Sequence, residues 1–368
     1  MMIRFTYVAC CLHIVVACAL VTPLGGCSAA GRAPERVGAR DPDPKSGVTS
    51  FPTSEPRPGS VPSSLEGCRT VRTVDREYGY TPLVVDVKED DVGFDARGAS
   101  WKFQNYPMKQ AYPLRVRYGD RLKWHGGSIV GTVAYDVPRH EIYKGAKGGN
   151  GAGFFIGASG SDPDIATRDF LLDGMRIHNV WDGVRVGKLC DGFVIRNTWI
   201  SDVRDDAIEN DFMCGGTIED CLIDGAYVFL STRKKSATGE DTSVITIRRC
   251  VVALKPFAGP YRPERYKRDP GHAMFFKWYA SGPRLVLEDN VFLAPQRGNC
   301  PDRNMGVPEG KLVSGKNNVM VWLGEGEYPT ALPSSFAVVT TRATWDDARA
   351  AWIRAHPRMP ALEPAPSR

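Results

Sequence analysis

The chain has 368 residues, 42% of them hydrophobic and 24% charged, and its 47 Lys and Arg against 42 Asp and Glu leave a formal net charge of +5. That balance excludes a disordered chain and offers no dense basic stripe for nucleic acid. A content of 38 Gly and 27 Pro disfavours a helical bundle and suits a turn-rich β architecture.

Residues 1–26 read as an export signal. Arg4 gives a positive start, an apolar run covers residues 8–21, and Leu24-Gly25-Gly26-Cys27 follows. The run is shorter than a membrane-spanning helix needs. The segment resembles a bacterial lipoprotein signal. That resemblance implies lipidation of Cys27 and a membrane anchor there, and Ser28 implies sorting to the outer membrane. Residues 27–67, rich in Pro, Gly, Ser and Arg, read as a disordered tether. A folded region is expected over 68–330, with a flank over 331–368.

Within 68–330, short β-rich runs are separated by Gly, Asp and Asn. Examples are 114–118, 153–157, 193–195, 244–247, 285–287 and 319–322. No helical stretch of strand-to-strand crossover length lies between them, which argues against βαβ units. The segments Leu172-Asp173-Gly174-Met175-Arg176-Ile177, Ile195-Arg196-Asn197-Thr198-Trp199-Ile200 and Ile218-Glu219-Asp220-Cys221-Leu222-Ile223 repeat with a step of 23 residues. Ile247-Arg248-Arg249-Cys250-Val251-Val252 and Leu287-Glu288-Asp289-Asn290-Val291-Phe292 continue the rhythm at longer steps, with loops inserted between constant strands. A fixed step of this size predicts stacked coils. The fold class is therefore all-β: a single solenoid of about seven to nine coils. One helix is expected over 344–353, with Thr344 as N-cap and Trp345, Ala348, Trp352 and Ile353 on one face, serving as a cap or flank.

The folded region carries Cys68, Cys190, Cys214, Cys221, Cys250 and Cys300. Cys221 and Cys250 hold equivalent places in successive repeats, and Cys190 and Cys214 lie about one repeat apart. Each pair is either bridged or a pair of buried thiols. No spacing suggests zinc.

The chemistry is concentrated in Trp181-Asp182-Gly183 and Arg204-Asp205-Asp206-Ala207-Ile208-Glu209. Asp182 to Asp205 is one step of 23, so the two are expected side by side on neighbouring coils. Clustered carboxylates push one another's pKa values apart and leave an acid beside a base. The coil rhythm and the export signal resemble right-handed parallel β-helix proteins of the pectate-lyase-like superfamily. Locally, Trp181-Asp182-Gly183 and Arg204-Asp205-Asp206 resemble two motifs of polygalacturonase-type glycoside hydrolases. The chain departs from that pattern one coil on, where Gly225-Ala226-Tyr227-Val228 holds no histidine. No Arg-x-Lys motif follows, and Phe276-Lys277-Trp278 supplies the nearest cation.

The resemblance implies a polysaccharide-degrading enzyme of the cell envelope. Hydrolysis is the first expectation, β-elimination the second, and a non-catalytic glycan-binding scaffold the third. Expected catalytic groups are Asp182, Asp205, Asp206, Tyr227 and Lys277. Expected substrate contacts are Trp181, Arg204, Glu209, Arg233, His272 and Trp278. Hydrolysis requires no cofactor, whereas a lyase of this superfamily would hold Ca²⁺ on the acidic run. A monomer is expected.

Overall fold

The computed structural model describes residues 62–103, 112–139, 141–142, 151–160, 162–232, 242–258 and 270–357. The segment 1–61, with the signal, Cys27 and most of the tether, lies outside them, as do Arg233 and most of the basic insert at 259–269.

The described residues form a parallel β-helix. One sheet stacks nine strands, from Thr70–Thr73 to Leu312–Lys316. A second stacks strands from Glu77–Gly79 to Phe336–Val339. A third runs from Leu83–Asp86 through Leu114–Arg117, Ala152–Ile156 and Asp182–Val186 to Phe276–Lys277. The long strands Trp199–Asn210 and Leu222–Thr232 bend through the second and third sheets and join them. Among the described residues the strands of these sheets pair in parallel, consecutive partners lying one coil apart, and only the isolated bridges Ala158–Lys188 and Phe257–Gly271 are antiparallel. The second sheet continues past the expected boundary at residue 330, because Phe336–Val339 pairs with Asn318–Trp322.

Register explains the core. Phe94, Trp124, Leu172, Ile195, Ile218, Ile247 and Leu287 occupy one row across seven strands of the first sheet, and all are fully buried. Leu114, Phe154, Val184, Ile208, Leu230 and Phe276 form an inward row of the third sheet. A coil cannot cover its own apolar face, so each side chain is buried by the same position on the next coil.

The repeating Asn/Asp also has a backbone cause. Asn197, Asp220, Arg249, Asp289 and Asn317 all carry φ between 48° and 54°. They stand at one corner of successive coils, between the first and second sheets. A left-handed residue turns the chain there, and Asn and Asp tolerate that conformation best after glycine. The residue after each corner points inward. Cys221 and Cys250 stack in this column, and it continues into Asn290, whose Nδ2 donates to Asn318 Oδ1 at 2.9 Å. None of the six cysteines of the described region is bridged.

The C-terminal helix spans Arg342–Ala355, starting before the expected Thr344, with Thr341 at its N-cap position. It lies along the side of the solenoid. Trp345 and Trp352 pack on Leu222, Val251, Ala253, Leu293 and Val321, outward residues of successive coils in the second sheet. Trp352 donates its indole N–H to Asp220 O at 2.9 Å, and Arg349 donates to Asp224 at 2.9 Å. Trp199 packs against this helix, with Trp352 edge-on at 6.0 Å.

Candidate functional site

The site forms where the second sheet bends into the third. Gly183 makes the bend possible. A Cβ there would lie 2.4 Å from Ala207 O and 2.8 Å from Ile200 Cγ2. With no side chain to place, Asp182 and Arg185 flank a close coil-to-coil contact. The next coil is displaced by one residue. Val203 pairs with Ala226, but Asp206 pairs with Val228, so Arg204 and Asp205 together oppose Tyr227. This β-bulge re-aims the side chains beside it.

The bulge corrects the register read from the sequence. Val184 pairs with Ile208 and Arg185 with Glu209, a step of one more than 23. Asp182 therefore aligns with Asp206. Its Oδ1 accepts the Asp206 N–H at 3.1 Å, while Asp205 N–H donates to Trp181 O at 2.9 Å.

Three cations hold the carboxylates. Lys277 Nζ lies 3.1 and 3.0 Å from the two oxygens of Asp206 and 4.0 Å from Asp205 Oδ1. Ser231 Oγ donates to Asp206 Oδ2 at 2.7 Å. The Arg139 guanidinium reaches Asp205 Oδ2 at 2.6 Å. Arg185 is paired with Glu209, lies 3.5 Å from Asp182 Oδ2, and donates to Tyr112 Oη at 2.6 Å. Arg185, Glu209, Ser231 and Lys277 occupy one outward row on four successive strands. The Lys277 side chain is 45% exposed, Asp205 15% and Asp206 4%, so solvent reaches the pair from the Lys277 side.

The environments split the carboxylates. Burial raises the Asp205 pKa, but Arg139 and Lys277 outweigh it and hold Asp205 below the usual carboxylate value. Burial lifts Asp206 above it, Lys277 offsets only part of this, and the charge of Asp205 adds to the lift. Asp182 is raised well above its ordinary value by burial and by Glu209 and Asp205. Glu209 is pushed up to about 7, first by burial, with Arg185 opposing and Asp211 adding. Lys277 is held protonated: burial lowers its pKa, and Asp206 and Asp205 raise it by more.

Of the residues expected from sequence, the structure brings Asp182, Asp205, Asp206, Glu209 and Lys277 into this one cluster. Trp181 and Tyr227 lie beneath it in an apolar cluster with Ile142, Val228, Phe257 and Ala273. Arg139 sits between their rings, 5.2 Å from Trp181 and 4.6 Å from Tyr227. Both aromatics are buried, so neither offers a face to a sugar. Arg204 is fully buried, donating to the carbonyls of Asn179, Val133 and Ala134. It anchors the 133–139 segment. His272 is also fully buried, its ring nitrogens against Gln296 O at 2.9 Å and Ala273 O at 3.0 Å. Trp278 follows Lys277 and lines an open cleft of about 1000 Å³.

Sequence reasoning missed Arg139, Arg185 and Ser231 as members of the site. Arg185 and Ser231 carried a signal in their row positions beside Glu209 and Lys277. Arg139 lies in a non-repeating segment and carried none.

Calcium does not fit the cluster as built. Guanidinium and ammonium groups already occupy the positions beside Asp205, Asp206 and Glu209 where a hard cation would sit. No protein-family profile, no curated protein and no solved structure matches the chain.

Proposed function

We propose that the chain is a polysaccharide hydrolase whose reacting groups are Asp205 and Asp206. The observation that carries this reading is the bulge-borne pair itself. Two adjacent carboxyls face one cation, one held ionised and the other pushed toward its protonated form. Glycosidic hydrolysis needs that division: an acid protonates the leaving oxygen while a carboxylate activates water or attacks the sugar. Asp206 is the proton donor and Asp205 the ionised partner. Lys277 neutralises the pair at its solvent side, and Arg139 fixes Asp205 from below. The parallel β-helix is compatible with the pectate-lyase-like resemblance and supports the reading only at the level of architecture, and a lipidated Cys27 would hold the enzyme at the cell envelope, at the outer membrane.

β-Elimination is the weaker reading. It needs an unprotonated base beside the sugar's acidic C–H, and Lys277 is held protonated while Tyr227 is buried under Arg139. Reducing-end release from a panel of soluble polysaccharides is the test, with absorbance near 235 nm read in parallel for an unsaturated product. Asp205→Asn should lower turnover by roughly 10³-fold or more; because it removes the carboxylate that faces the buried Arg139 it should also lower the thermal midpoint, and circular dichroism at the assay temperature checks that the variant is folded. Product absorbing near 235 nm would transfer the assignment to elimination. Polymer binding without cleavage across the panel would leave a glycan-binding scaffold.

A further inference from the structure

The third sheet ends at Phe276–Lys277, while the first and second continue for further coils. Beyond Lys277 its face is replaced by loops at 303–312 and 330–333, and these leave the cleft of about 1000 Å³. The cleft begins at the cation that faces Asp205 and Asp206. Among the described residues its charged lining comprises Lys277, Arg303 and Lys311 with the carboxylate of Glu309. Arg303 is exposed and Lys311 half-buried.

Two aromatics enter the same wall. Tyr279 is 48% exposed. Trp278 is fixed in place: its indole N–H donates to Pro283 O at 3.0 Å, and its ring lies edge-on to Phe276 at 6.0 Å. A Cβ on Gly282 would fall 2.7 Å from the Trp278 Nε1, so the glycine makes room for this placement. Aromatic faces at the rim of a wet cleft suit sugar rings, and an excess of cations suits anionic substituents on them.

We infer that this cleft is a binding subsite for an anionic glycan, recognised through Arg303 and Lys311 with Tyr279 and Trp278 as ring contacts, and bordered by Lys277, whose charge serves Asp205 and Asp206. The inference rests on the hydrolytic reading only for the direction of the chain, which runs from Asp205 and Asp206 over Lys277 into the cleft. The anion is a carboxylate or a sulfate ester on the sugar.

Affinity gel electrophoresis with polygalacturonate, dextran sulfate and uncharged dextran tests it at two salt concentrations. The wild-type protein should be retarded by at least one polyanion and not by dextran, less so at high salt. The polyanion that retards it identifies the anion. The double variant Arg303→Gln/Lys311→Gln should bind that polyanion roughly tenfold more weakly, with a shallower salt dependence. Tyr279→Ala should weaken binding without altering the salt dependence. No retardation by either polyanion, or a double variant that binds like wild type, overturns the inference. Arg303 and Lys311 lie at the surface, so a thermal midpoint equal to wild type separates lost binding from lost folding. Reducing-end release reads the other proposal independently. Polyanion binding that depends on Arg303 and Lys311 without cleavage would keep the subsite and remove the hydrolase. Cleavage through Asp205 of a polymer bound equally by the double variant would do the reverse.

Discussion

Glu209 shows what carboxylate crowding does at a single residue. One guanidinium, Arg185, serves Glu209, Asp182 and Asp211, and the surplus negative charge in a buried place lifts the Glu209 pKa to about 7. The ordinary value is 4.5, so the folded state binds more protons than the unfolded state between these values. Folding stability should therefore fall as pH rises from about 4.5 to about 7 and level off above. The loss from this residue is on the order of 3 kcal/mol. Urea unfolding of wild type and Glu209→Gln across this range checks it: the variant should lose much of the slope. Asp205 has the opposite sign. Its lowered pKa keeps it ionised as pH falls, so on the proposed hydrolytic reading any activity should persist on the acid side below the usual carboxylate value until Asp205 is protonated. Asp182, Asp205 and Asp206 were legible as a cluster because their motifs recur in successive coils. Their pairing was not, because a single residue in the bulge changes the step and repeat spacing cannot announce it. Arg139 was illegible for another reason: its contact with Asp205 is made by a loop outside the repeat.

Among the elements, the strand contact at Gly183 leaves no room for a side chain. A methyl group there meets the Ala207 carbonyl on the next coil, with no flexible side chain able to yield. Gly183→Ala should destabilise the fold by about 2–4 kcal/mol and weaken any activity, since Asp182 and Arg185 flank the displaced strand. Thermal unfolding measures the first effect and the polymer assay the second. The C-terminal helix was legible in its apolar stripe, and Trp345, Ala348, Trp352 and Ile353 do share the packed face. Its position was not legible. An amphipathic helix satisfies a solenoid end and a solenoid side equally well, and only the outward Leu222, Val251, Leu293 and Val321 choose the side. The sequence does not distinguish those residues from inward ones, because a covered outer face has the same composition as an inner one.

At the scale of the whole molecule, the solenoid was legible because successive coils repeat the same inward row, from Phe94 to Leu287, and the same left-handed corner, held by Asn197, Asp220, Asp289 and Asn317 and, between them, by Arg249. The site was less legible because it arises where the repeat fails: a bulge, a glycine contact, a sheet that stops at Lys277. The interior also carries four thiols, Cys221 and Cys250 in the corner column and Cys190 and Cys214 beside the third sheet, all buried and unbridged, while Cys68 and Cys300 lie half-buried toward the two ends. Burial raises the pKa of Cys190, Cys214 and Cys221, so these remain in the unreactive thiol form. The chain thus contains its own set of clocks along its axis. An alkylating reagent followed by mass spectrometry should modify Cys68 and Cys300 first, by fraying of the terminal coils, and the inner four together and much later. Simultaneous modification of all six would mean that the ends open only when the whole column does. Either order reports how far an opening event travels from one coil to the next.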